Sequence, residues 1–302
     1  GGLPPAAAPW CPPLPPRLSA AELPAGVAGL LDDPDRQRQE PFTWRPHDGA
    51  VLVAGSEGSG VSSSLRVLAA RALDGGHLVY VLDGRGGASP AATEWADPRV
   101  DVVPVADVER VLRLVHLLRR AGHRARTAAP VLVVEALDRV RRMLDDPATA
   151  DLLDAIDDVL LDATTVVVAG VRQPAALPAR LTQAFPHRWV HHLGDPHEAG
   201  VLGVAAANVP GPHPGRVFVA AAGLTGQVVA PTEGAPAAST AERMAPVLHL
   251  PRLLDRAALP RATSAGGLVV LPIGVGVEDG EPAALQLAGG DHLTVAGPAR
   301  SG

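Results

Sequence analysis

Eight residues, Gly55 to Ser62, follow an apolar run, Val51 to Ala54, and precede a segment with helical periodicity. A strand, a glycine-rich loop and a helix in that order allow backbone N–H groups and a helix N-terminus to wrap the oxygens of a polyphosphate. Gly55 and Gly60 have the spacing such a loop needs. Ser62 stands where a hydroxyl would meet Mg2+. Val61 occupies the position at which these loops carry lysine. The expected cradle is therefore Gly55, Ser56, Glu57, Gly58, Ser59, Gly60, Val61, Ser62 and Ser63, without its charge clamp. No other lysine can substitute, because all 26 basic residues are arginines; Arg66 is the nearest in sequence.

A phosphate loop that hydrolyses its nucleotide needs an acid at the end of a buried strand to hold the Mg2+ shell, with a glutamate beside it to orient water. The segment Pro130 to Asp138 is the best candidate. Glu135 takes the metal-shell position with Ser62, and Ala136 follows where the second acid would stand. Asp138 is a secondary acid or a solvated helix-start aspartate. With lysine and base both missing, two contributions to transition-state stabilisation are lost, and weak or absent turnover is expected.

The elements that must position these residues are legible from hydrophobic period. Ala50 to Ala54, Leu78 to Leu82, Pro130 to Val134 and Thr165 to Ala169 are continuously apolar, as strands buried on both faces are. Ser62 to Leu73, Val105 to Arg120 and Thr149 to Leu161 carry apolar residues at helical spacing. Strand and helix alternating in this way predict an α/β fold, a mostly parallel sheet with helices on both faces in three layers. Arg188 to Leu193, Arg216 to Ala220 and Gln227 to Ala230 are expected at a sheet edge. The histidines His187, His191, His192 and His197 lie on an edge strand and turn, where neighbours face opposite sides and converge poorly on a metal. Asp32, Asp33 and Asp35, with Asp157 and Asp158, read as helix-start or solvated charges.

The net charge of -6 argues against a diffuse DNA-binding field. No apolar run approaches the roughly 18 residues of a membrane span, and a lone cysteine, Cys11, excludes an internal disulfide and fits a cytoplasmic location. Residues 1–25 form a proline-rich lead-in. Leu14 to Pro24 resembles Leu250 to Pro260 without a gap, and Val51 to Gly60 resembles Leu293 to Gly302. Two landmarks recurring in one order predict tandem modules: a phosphate-loop domain over residues 26–235, then a linker and the truncated start of a second over 236–302.

On these residues the chain resembles the FtsK/SpoIIIE family of translocase ATPases, a RecA-like P-loop NTPase fold, and most closely the degenerate tandem ATPase modules of EccC-type proteins of type VII secretion. Gly29 to Pro41 resembles the stretch before the loop in those modules. Tyr80 to Gly87 resembles their second strand, and Leu193 to Pro196, Ala205 to Pro210 and Pro214 to Arg216 their late part. The resemblance implies ATP, with Mg2+ weakly held or absent, as ligand of a regulatory module that is inactive or very weak alone. It implies neighbouring modules of the same chain and a secreted protein as partners, and a homo-hexamer for the full-length protein. Membrane association would come through parts outside this fragment. It also implies that Arg172 matches a family arginine that contacts nucleotide or a neighbouring module, a surface salt bridge being the alternative. A DNA translocase module and a nucleotide-independent docking domain are the competing readings, and a competent ATPase is the last.

Overall fold

A computed structural model describes residues 11–85, 95, 97–123, 129–231, 247–251, 253–276 and 281–296. The chain forms two compact units, residues 1–247 and 248–302. In the first unit the strands are β1 (Leu18–Ser19), β2 (Gly29–Asp33), β3 (Arg38–Phe42), β4 (Val51–Ala54), β5 (Val79–Asp83), β6 (Val100–Pro104), β7 (Val131–Glu135), β8 (Val166–Val171), β9 (His187–Val190), β10 (Arg216–Val219) and β11 (Leu224–Ala230). Its helices are α1 (Val61–Asp74), α2 (Val108–His123), α3 (Leu137–Leu144), α4 (Ala150–Leu161) and α5 (Ala179–Ala184).

These strands form one sheet in the order β3-β2-β11-β10-β9-β4-β8-β7-β5-β6, with β1 beside β11. From β9 to β6 every pairing is parallel. The other half, β10, β11, β2 and β3, is antiparallel. The parallel half is buried on both faces because its side chains alternate between two cores. Val51, Val53, Val79, Val81, Val131, Val133 and Val168 face the core that contains Leu65 and Leu68 of α1. Leu52, Ala54, Tyr80, Leu82, Leu132, Val134, Val167 and Ala169 face the core of α2 to α5. This is the expected three-layer α/β architecture.

β1, the β2–β3 hairpin, β6, α3 and α5 lie beyond the sequence reading, and β9, β10 and β11, expected at an edge, are interior strands because the hairpin pairs outside them. The hairpin turns through a short 3-10 helix, Pro34–Arg36, which Asp33 caps by accepting the Arg36 N–H. Gln37 then takes a left-handed conformation, φ 52°. Gly29 is required where β2 passes β11 and β3, since a Cβ there would run into the Gln227 carbonyl and the Phe42 ring.

Asp157 departs from the expected solvated charge. It sits inside α4, 2% exposed, paired with Arg141 of α3 and with Arg180 of α5, the latter at 2.7 Å. Helical periodicity turns Asp157 toward the neighbouring helices and Asp158 outward to an exposed pair with Arg119.

The second unit contains β12 (Thr263–Ala265), β13 (Leu268–Val275) and β14 (Pro282–Ala288), an antiparallel sheet in that order. The first sequence echo has a structural counterpart. Ser19 caps a 3-10 turn, Ala20–Glu22, by accepting the Ala21 N–H. Asp255, its match in the echo, caps Arg256–Ala258 by accepting the Ala257 N–H.

The two arginines on Asp157 differ in burial, and so should their variants. Arg141→Ala leaves a buried carboxylate half-paired and is expected to destabilise the fold by about 2 kcal/mol. Arg180→Ala removes a largely exposed partner and should cost less than about 1 kcal/mol. Urea unfolding of both variants measures the difference, and equal losses would contradict the assignment.

Candidate functional site

The glycine loop leaves the C-terminal end of β4 and is held from three sides. The Gly55 N–H donates to the Val171 carbonyl at 3.0 Å, and the Ser56 N–H to the His192 carbonyl at 2.8 Å. The Gly215 N–H donates to the Ser59 carbonyl at 2.8 Å. Gly58 and Gly60 have φ of 76° and 114°, a region that side chains other than glycine enter at a cost. At Gly60 a Cβ would also sit 2.6 Å from the Gly215 nitrogen. Ser59 turns inward, its N–H and Oγ both donating to the Ser56 carbonyl. The first turn of α1 then begins, its leading N–H groups left without helical acceptors.

His191 forms the floor. It is fully buried, with Nδ1 2.7 Å from the Arg216 carbonyl and Nε2 2.8 Å from Ser64 Oγ. A carbonyl only accepts, so Nδ1 carries the proton and Nε2 accepts the Ser64 hydroxyl. Burial pushes its pKa down to about 4, against the raising effect of its hydrogen bond to Arg216. The imidazole is therefore neutral and serves as a structural link among α1, β9 and β10.

A groove of about 1460 Å³ opens over the loop, lined in part by Gly55, Gly60, Val61, Ser62, Ser63 and Arg66. Ser56, Glu57 and Gly58 also line it. Val61 supplies methyl groups where a lysine would supply an ammonium. A Cβ on Gly55 would lie 2.9 Å from one Val61 methyl, and a Cβ on Gly170 3.0 Å from the other. Arg66 turns back on its own helix, Nε 3.4 Å from the Ser62 carbonyl. Arg172 reaches the loop from the end of β8 and pairs with Glu57 at 3.2 Å, both side chains exposed.

The acids divide. Glu135, at the C-terminal end of β7, is 2% exposed and lines the groove. It is the register partner of Asp83 on β5. Arg85 closes over both carboxylates, Nε 2.7 Å from Glu135 Oε2 and 3.3 Å from Asp83 Oδ1. The Arg85 backbone N–H also donates to Asp83 Oδ1 at 2.9 Å. Gly84 allows this return, since a Cβ there would meet the Glu135 carbonyl at 2.6 Å. As placed, Glu135 is ion-paired with Arg85, which a magnesium shell on this carboxylate would have to displace. Asp138 is buried but not among the described groove residues. It accepts the Arg172 N–H at 3.3 Å and lies 3.8 Å from Arg142, tying α3 to β8.

The structure thus brings together the loop, Glu135 and Arg172, and sets Asp138 apart. Sequence reading missed Asp83, Arg85 and His191 as parts of the site. The signal for the first two was the Asp-Gly-Arg run directly after a buried strand. The histidines have separate partners: His187 contacts the Asp48 carbonyl, His192 the Pro210 carbonyl, and the His197 N–H donates to Asp195.

The sheet order β9-β4-β8-β7-β5, with a phosphate-type loop after β4 and an acid at the end of β7, is a P-loop ATPase architecture. No protein-family model matches the chain, and no curated protein matches it either. Solved structures do. EssC (ATPases 2 and 3) from Geobacillus thermodenitrificans superposes with a TM-score of 0.69 at 18% identity, covering 91% of this chain and 62% of that one. Thermomonospora curvata EccC (ATPases 2 and 3), in complex with a signal sequence peptide, gives 0.68 at 23% identity, covering 91% and 59%. The cytoplasmic domain of the T. curvata type VII secretion ATPase EccC gives 0.66 at 24%, covering 94% and 40%. The chain has the fold of these ATPase modules and spans less than two thirds of each of those chains.

The buried imidazole predicts a pH dependence. The folded pKa lies below the unfolded one, so the unfolded chain binds more protons between the two values. The stability contributed is whole above the ordinary value of 6.5 and is lost as pH falls toward about 4. The total loss should be about 3 kcal/mol at the lower end. Urea unfolding across this range should show that slope in the wild type and its loss in His191→Gln; an unchanged slope in the variant would contradict the assignment.

Proposed function

We propose that the chain is a degenerate module of an FtsK/SpoIIIE-type translocase, of the EccC kind used in type VII protein secretion, and that it binds ATP without hydrolysing it. Residues 26–235 are the module, and residues 236–302 a linker and the start of a second one. The similar solved structures are EssC and EccC ATPases 2 and 3, which supports this reading at the level of the fold. The matching capped turns at Ser19 and Asp255 support the tandem arrangement.

One observation carries the non-hydrolysing role: both charged parts of the expected machinery are replaced or engaged. Val61 presents methyl groups at the lysine position, and Glu135 is bound to Arg85 at 2.7 Å. What remains is a backbone cradle with a helix N-terminus, which suits phosphate binding. A charged hydrogen bond is worth about 1.5–3 kcal/mol, so loss of the lysine should weaken ATP binding by about tenfold to a hundredfold while leaving it measurable. The residues assigned to ATP are the loop, Gly55 to Ser63, with Arg172 at its rim. In this role the module regulates a motor whose hydrolysis occurs elsewhere. Its partners are neighbouring modules of the chain, a secreted protein and other copies in a hexamer.

Calorimetric titration of the chain with ATP, beside a turnover assay, tests this. Binding without turnover is the expected result. Turnover that disappears in Glu135→Ala would contradict it, and no binding even at millimolar ATP would make the module a docking surface instead.

A further inference from the structure

Two buried carboxylates share one guanidinium at the strand ends beneath the groove. Asp83 and Glu135 are register partners on adjacent strands, 3% and 2% exposed, and like charges so placed need a cation between them. Arg85 supplies it from the chain itself, with its Nε on both carboxylates and its own N–H on Asp83. The Arg85 side chain is 22% exposed and lines the same groove as the loop.

A magnesium shell built on Glu135 would have to displace Arg85, breaking an ion pair that is buried on the carboxylate side. Removing one partner of such a pair is strongly unfavourable, since the other is left uncompensated. Magnesium also demands near-ideal octahedral oxygen geometry and surrenders its waters reluctantly. It therefore gains no carboxylate anchor here, and only the Ser62 hydroxyl remains to offer it an oxygen. Arg85 stays in place as a permanent positive charge beside the loop.

We propose that the loop takes its nucleotide as a metal-free polyphosphate, Arg85 holding the carboxylates that a magnesium shell would otherwise use. This rests on the nucleotide-binding reading above and adds the form of the ligand. In a site of this kind the metal gains no carboxylate ligand, and complexation of ATP by Mg2+ in solution competes with binding.

The test is titration of the intact chain with ATP in EDTA and in excess Mg2+. Binding in EDTA should be at least as tight as in Mg2+, within about threefold. Weaker binding in EDTA by more than that overturns the inference and leaves the nucleotide site standing; no binding in either condition overturns both. Arg85→Ala, verified as folded by circular dichroism, frees Glu135 for a metal. Its ratio of affinities should shift toward Mg2+ by at least about tenfold, and an unshifted ratio would overturn the assignment of Arg85. Should that variant fail to fold, the wild-type comparison alone decides.

Discussion

A neutral imidazole holds the mouth of this sheet together. His191 has no water to turn to, so each of its nitrogens must find a protein partner. Nδ1–H binds the Arg216 carbonyl and Nε2 accepts the Ser64 hydroxyl, joining β10 to the first turn of α1 across the end of β9. The glycine loop lies directly over that link: a Cβ on Gly55 would strike the His191 Cβ at 2.8 Å, and one on Gly60 the Gly215 backbone. Loop, helix start and antiparallel extension are thus fixed as one piece, and the direction in which the α1 N-terminus points follows from it.

The same piece explains how a glycine cradle can stand without a lysine. The backbone path depends on glycines, on hydrogen bonds to Val171, His192 and Gly215, and on the buried histidine, none of which involves the residue at position 61. Valine there lies with its methyls close to Gly55 and Gly170, partly buried against the core of α1. At the end of β7 the acid is buried and paired with Arg85. Glu135 stays buried because Arg85 pairs with it, so the position is kept by internal electrostatics rather than by a ligand.

Legibility from sequence followed burial. β4, β5, β7 and β8 were readable within one or two residues because strands covered on both faces are continuously apolar, and α1, α2 and α4 because their periodicity is long. The β2–β3 hairpin was not, since Gly29–Asp33 ends in two aspartates and its partner strand contains a charged run. β6 was hidden by its polar edge, and α3 and α5 are too short, eight and six residues, to carry a clear period. Of the site, the loop and Glu135 were legible from local spacing. The Asp83–Arg85–Glu135 cluster was not, because it exists only when β5 and β7 lie side by side, which is a fact of sheet order. Asp157 was misread for the same reason: its two arginines come from different helices, one 16 residues before it and the other 23 after.

For phosphate affinity, Val61 is the residue that separates this cradle from one with a charge clamp. The most direct measurement is ATP titration of Val61→Lys beside the wild type. A restored lysine on an intact cradle should tighten binding by at least about tenfold, without bringing turnover, since Glu135 remains held by Arg85. Unchanged affinity in a correctly folded variant would mean that the loop no longer presents its amides to phosphate, and would contradict the account.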